Sequence, residues 1–181
     1  MYATVHQFRR SSGDGDEDRG TSRPGSLGGC VLAEIAGAAG AEITFWPDRD
    51  SAAADGGSAV YQVEFTGTAP GEPRFAQLTW FAGPRRQEVS DAGARAGRDR
   101  IWPAVREVPG AGNCYALVGE DNACLVLGFA DSVEAIEAAQ RAVMTTELLP
   151  GEDEALLPGP DRVDVHRVLH ADLPAPVGDP R

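Results

Sequence analysis

From Phe75 onward the apolar and polar positions fall into an ordered series of elements. Phe75 to Phe81 (FAQLTWF) predicts a strand, ended by Gly83-Pro84. Arg86 to Val108 predicts a helix that carries Ala94, Ile101, Ala104, Val105 and Val108 on one face and stops at Pro109-Gly110. Cys114 to Val118 and Ala123 to Phe129 are apolar runs joined by Gly119-Glu120-Asp121-Asn122, the pattern of a hairpin. Asp131, with Glu134 three residues on, predicts the capped start of a second helix with Val133, Ile136 and Val143 inward. An acidic, Pro/Gly-rich connection from Leu149 to Pro160 then leads to a last strand, Val163 to Leu169. The order is β-α-β-β-α-β, the split βαβ or ferredoxin-like plan.

The first part of the chain repeats this plan in shortened form. Ala3 to Phe8 (ATVHQF) matches Ala76 to Phe81 (AQLTWF) at an offset of 73 residues, while Phe45-Trp46-Pro47-Asp48 matches Gly128-Phe129-Ala130-Asp131 at an offset of 83. The ten residues lost between these landmarks amount to about one strand with its turn. Val60 to Phe65 predicts the last strand of this half, and Ser51 to Asp55 a stub of its second helix. Arg9 to Gly29, polar and Gly-rich, predicts a mobile loop ahead of the first helix.

These elements predict an α+β protein of tandem ferredoxin-like halves, residues 1–71 degenerate and 72–181 complete with a C-terminal tail. Ala123 to Ala130 is apolar at nearly every position, so both faces of that strand must be covered. Helices of its own half cover one face. Val5, Ile43, Phe45, Tyr61, Val63 and Phe65 supply the sheet for the other, which closes an α/β-barrel-like unit within one chain. A homodimer through open strand edges is compatible with this plan but not required.

Composition narrows the partners. The chain of 181 residues carries 16 basic and 28 acidic residues, a net charge of −12, and every base is arginine. Such an anion repels phosphate backbones, which excludes nucleic acid as the expected partner. The apolar runs fall short of the roughly 20 residues of a membrane span, and MYATVHQFRR lacks a leader pattern, so the expected location is the cytoplasm. Cys30, Cys114 and Cys124 are odd in number and show no C-x-x-C spacing, which predicts free, mostly buried thiols.

The segments FAQLTWFAGP, RDRIWPAVREVPG, LVLGFADSVEAIEAA, VMTTELLPGEDEALLPGP and VDVHRV resemble the antibiotic-biosynthesis-monooxygenase-like domains of the dimeric α/β-barrel superfamily, over about Phe75 to Leu169. The resemblance implies ferredoxin-like units whose sheets pack face to face to close a barrel. It also implies activities ranging from cofactor-free oxidation of polyketide phenols to haem degradation, beside members with no assigned chemistry. In several such enzymes a Trp stands before the second helix. Trp46 fills that place in the shortened half and Phe129 in the complete one.

No nucleophile-elbow, Walker or dinucleotide motif is present. Asp14, Asp16 and Asp18 imitate the start of a calcium loop, but Arg19 and Gly25 stand where Gly and Glu are required. His166 and His170 on a strand are about 13 Å apart, too far for one metal ion, so neither a metal nor another cofactor is expected. Trp80, Trp102 and Tyr115 are the candidate walls of an apolar pocket for a small hydrophobic or aromatic ligand. Two functions compete. In an oxygenase acting on an electron-rich aromatic, His6 or His166 would assist proton transfer and Trp46 or Trp80 with Tyr115 would hold the ring. In a non-catalytic binding or assembly module, side chains would fill the barrel interior.

Overall fold

The computed structural model describes residues 1–9, 23–56 and 59–174. Asp14, Asp16, Asp18 and most of the expected loop Arg9 to Gly29 lie outside the described residues. Eight strands run in chain order as β1 (Tyr2–Arg9), β2 (Gly28–Glu34), β3 (Ala39–Trp46), β4 (Ala59–Gly67), β5 (Phe75–Phe81), β6 (Ala111–Val118), β7 (Cys124–Ala130) and β8 (Arg162–Asp172). They close into a barrel in the order β1-β3-β2-β8-β5-β7-β6-β4. Every neighbouring pair is antiparallel, including the β1–β4 pair that completes the ring. The first four strands stand in the order β4-β1-β3-β2 and the last four in the order β8-β5-β7-β6, so both groups follow one scheme. They meet at two seams, β2–β8 and β4–β6.

Alternation along the strands sends one set of side chains inward. Ala3, Val5, Cys30, Leu32, Ala41, Ile43, Phe45, Ala76, Leu78, Tyr115, Leu117, Leu125, Leu127 and Phe129 form one buried cluster that fills the interior. Phe45 and Phe129 flank the Tyr115 ring, with centroids 4.8 and 6.4 Å away. The interior is a packed core, as expected for a barrel of this strand number.

Helices lie outside. The first helix of the second half is interrupted: α2 (Gln87–Ala96) passes through a π-helical turn, Gly97–Ile101, into α3 (Trp102–Val105). Pro103 accounts for the break, since it supplies no backbone donor at the start of α3. Trp102 covers the β4–β6 seam, edge-on to Phe65 at 6.0 Å. Only a residue without a side chain fits beneath it, because a Cβ on Gly67 would lie 2.4 Å from the indole. Among the described residues the other α-helices are α1 (Arg49–Ala54) and α4 (Val133–Thr145). In the β6–β7 hairpin Asp121 and Asn122 adopt positive φ, which these residue types tolerate in turns.

Three expectations change. A strand, β2, stands where the first helix of the shortened half was expected, so this half has four strands and did not lose a strand with its turn. The run Gly28 to Ala33 is buried at every residue, which suits a strand covered on both faces and not an amphipathic helix. The cap of α4 is Ser132, whose hydroxyl accepts from the Ala135 amide, while Asp131 accepts from the Ser132 hydroxyl. The offset between the later landmarks is 84 residues: Phe45 and Phe129 are both core residues, and the caps Asp48 and Ser132 correspond. Ala130, not Phe129, therefore stands at the place of Trp46.

Candidate functional site

Inward residues on β1 and β3 are apolar, but the alternate positions Thr4, His6, Glu42, Thr44 and Trp46 give this wall of the barrel a polar outer face. Thr4, Thr44 and Trp46 are nevertheless buried. A buried polar group needs a partner, and here the partners form one continuous run. The Trp46 indole Nε1 donates to Thr4 Oγ1 at 3.0 Å, and that hydroxyl donates to Asp55 Oδ2 at 2.9 Å. The other oxygen of Asp55 meets Arg23 Nη1. Arg23 also donates from Nε and Nη2 to Glu42 Oε1, at 3.1 and 2.7 Å. Asp55 and Glu42 are deeply placed, with side chains 5 and 12% exposed, while Arg23 is 36% exposed. The hydrogen bond to Glu42, ahead of the charges of Glu42 and Asp55, holds the guanidinium above its ordinary pKa against the opposing effect of burial.

Local sequence explains the arrangement. Asp48 caps α1 through the Ser51 amide, and this six-residue helix delivers Asp55 from its C-terminus back onto β1. Trp46 is the last residue of β3, and Arg23 enters from the turn before β2. The result is an indole fixed in orientation by a hydroxyl that is itself fixed by an ion-paired carboxylate. His6 shares this outer face, opposite Glu42 in the β1–β3 register, and is exposed.

The other predicted site residues are distributed elsewhere. Trp80 and His166 lie on adjacent strands β5 and β8 but four residues apart in register, Trp80 opposite Arg162 and His166 opposite Ala76. Trp80 Nε1 donates to Asp164 Oδ2 at 2.9 Å, and Arg162 lies over the indole at 4.7 Å. His166 pairs with Ala76 and shares its inward face; it is 4% exposed, and its Nδ1 is buried without a partner among the described residues. Desolvation foremost lowers its pKa, against the raising effects of Asp164 and Glu34. Tyr115 is a core residue whose phenol burial pushes up to about 12, leaving a neutral donor 3.5 Å from the Pro174 carbonyl. Trp102 packs outside, over the β4–β6 seam. The structure therefore does not bring Trp80, Trp102 and Tyr115 around one pocket.

The cysteines are free; Cys30 is buried and the other two are half-buried. Burial raises Cys114 and Cys124 to about 12 and about 11, and Cys30 higher still, so none is a ready thiolate. Among the described residues no group of three or more His, Cys, Asp and Glu side chains could hold a metal ion, and no helix is long and apolar enough to cross a membrane. Thr4, Asp55, Arg23 and Glu42 escaped the sequence reading. The available signal was the polar outer parity of β1 and β3 on either side of Trp46.

A closed, eight-stranded antiparallel α+β barrel with helices outside defines the class. No family model matches the chain and no curated protein matches it. Solved structures do. A protein from Fusobacterium nucleatum provisionally classed as a monooxygenase superposes with a TM-score of 0.70 at 11% identity, over 97% of this chain and 95% of its own. An anthrone oxidase-like protein gives 0.63 at 16% identity, over 94% and 92%. A ferredoxin-fold protein of Listeria monocytogenes, related to antibiotic biosynthesis monooxygenases, gives 0.54 at 10%, over 93% and 95%. The fold is that of the antibiotic-biosynthesis-monooxygenase-like proteins.

Proposed function

We propose that the chain is a cofactor-independent oxygenase-like enzyme that takes an electron-rich aromatic, polyketide-like molecule on the outer face of β1 and β3. The hydrogen-bonded run Trp46–Thr4–Asp55–Arg23–Glu42 carries this reading. A site that adds oxygen without a cofactor must hold an aromatic ring, take up its proton and stabilise the anion. Trp46 offers the ring an oriented indole, His6 on the same face accepts the proton, and Arg23 offsets the charges of Asp55 and Glu42 that would otherwise repel the developing anion. For a ring methylene the reaction is CH2 + O2 → C=O + H2O. The carbanion passes an electron to O2, the radical pair joins, and the peroxide loses water as the second C–H proton departs. One oxygen atom stays on carbon and the other leaves as water.

In this reading the protein is soluble and cytoplasmic, and its two groups of four strands are tandem ferredoxin-like halves forming an internal pseudo-dimer. Their common strand order and the two antiparallel seams support that, and no second copy is needed to close the barrel. A second reading, a non-catalytic binding or assembly module, draws support from the filled barrel interior.

Oxygen uptake with anthrone separates the two. We expect the protein to accelerate consumption of one O2 per anthrone above the buffer rate, with Trp46→Phe and His6→Ala each lowering the enzymic rate about tenfold or more. No acceleration over buffer, or full activity in both variants, overturns the enzyme in favour of the module.

A further inference from the structure

The two seams of the barrel are finished differently. At β4–β6 the helix that follows β5 lays Trp102 over Phe65 and Gly67. At β2–β8 no helix lies over the seam among the described residues. Beside this second seam, along β8 and the start of β5, lies an open groove of about 520 Å³ lined by Pro73, Arg74, Phe75 and residues Arg167 to Ala171.

Three of its lining residues, Arg74, Arg167 and His170, are basic, and none is acidic. This is unexpected in a chain with 28 acidic residues. Among the described residues some arginines elsewhere are ion-paired, such as Arg23 with Glu42 and Asp55, Arg100 with Glu152 and Arg162 with Asp164, while others, such as Arg95 and Arg141, are not. Arg74 and Arg167 make no ion pair among the described residues, although carboxylates outnumber arginines in the chain. Arg167 stands opposite Phe75 in the β5–β8 register and the Val168 amide donates to the Arg74 carbonyl, so both arginines are rooted at the same stretch of the groove, and guanidinium groups without an internal ion pair suit a carboxylate or phosphate. Phe75 and Pro73 add an apolar wall.

We infer that this groove is a second ligand site, separate from the Trp46 run, which binds a small organic anion: a carboxylate or phosphate monoester with an apolar body. Arg74 and Arg167 hold the anionic head, His170 contributes a further donor, and the body lies along Phe75. The groove volume suits a molecule of that size. The site shares no lining residue with the Trp46 run and does not depend on the oxygenase reading.

The test uses phenyl phosphate as probe on the full chain, followed by backbone-amide and arginine Nε NMR shifts. Saturable shifts at Arg74 and over Arg167 to Ala171 are expected, with inorganic phosphate competing more weakly because it lacks the ring. Both arginines are exposed, so Arg74→Gln/Arg167→Gln should keep the native circular dichroism and weaken binding about tenfold or more. Trp46→Phe should bind as the parent does. Absence of saturable binding, shifts confined to other residues, or equal affinity in the double variant overturns the inference.

Discussion

His166 shows what a single residue can report. It lies on the inward face of β8 opposite Ala76, its Nδ1 has no partner among the described residues, and it senses Asp164 and Arg162 on its own strand and Glu34 across the seam. Desolvation outweighs the two carboxylates, so the folded pKa lies below the ordinary 6.5. As pH falls through that ordinary value the unfolded chain takes up the proton first. Its stabilising contribution is therefore complete above 6.5 and is lost as pH falls toward the folded value. Wild type should thus lose stability relative to His166→Gln between about pH 7.5 and about pH 5.5, read as urea midpoints at each pH. A gap that stays constant, or widens toward acid, contradicts the burial argument. At this scale the sequence was only partly legible. His166 and Trp46 stand out by residue type, but nothing local shows that one faces a core and the other a sheet exterior. Thr4 and Asp55 gain meaning only when β1 and α1 are brought together across 51 positions of chain.

Elements were more legible, because strand and helix periodicity are local properties. Phe75–Phe81 is a strand as read, the predicted Cys114 to Val118 and Val163 to Leu169 lie within β6 and β8, and the predicted Ala123 to Phe129 is β7 displaced by one residue. The predicted helix Arg86 to Val108 contains its π-helical turn because periodicity across Gly97 and Pro103 reads as one rod. β2 was missed because a seven-residue apolar run between glycines gives no clear period. The loop between α4 and β8 is secured in a way that no local pattern predicts. Arg100, on the π-helical turn, donates from Nε to Glu152 Oε2 at 2.7 Å, and the Leu149 amide donates to the same oxygen at 2.8 Å. The pair is nearly withdrawn from solvent, with side chains 10 and 14% exposed, and Glu152 Oε1 is already without a partner among the described residues. Removing one member strands a buried charge. Arg100→Met should cost about 3 kcal/mol in urea unfolding, whereas Arg100→Met/Glu152→Leu should recover most of it. Equal loss in the single and double variants would show that the helix turn needs Arg100 for its stem packing and not for the charge.

At the scale of the molecule the decisive inference came from one strand. The loss of alternation in Ala123 to Ala130 demanded cover on both faces, and the structure places Leu125, Leu127 and Phe129 in the interior with α4 packed outside on β5 and β7. Inner cover comes from Val5, Ile43 and Phe45, with Tyr61 and Val63 packed against the same cluster. Removing Met1 to Gly71 takes away β1 to β4 and with them both seams, so β8 loses its pairing with β2 and β6 its pairing with β4. It also uncovers Leu78, Tyr115, Leu117, Leu125 and Leu127, all at most 1% exposed in the whole chain. Two free strand edges beside a large apolar sheet face are an association surface. The truncated protein should therefore be insoluble, or should pair into dimers that rebuild a barrel from two copies of the β8-β5-β7-β6 sheet. Light scattering distinguishes these outcomes from a stable monomer. A monomer with native-like hydrogen-exchange protection in β7 would mean that the second half covers its own inner face, and the internal pairing of the two halves would then not be what holds the sheet together.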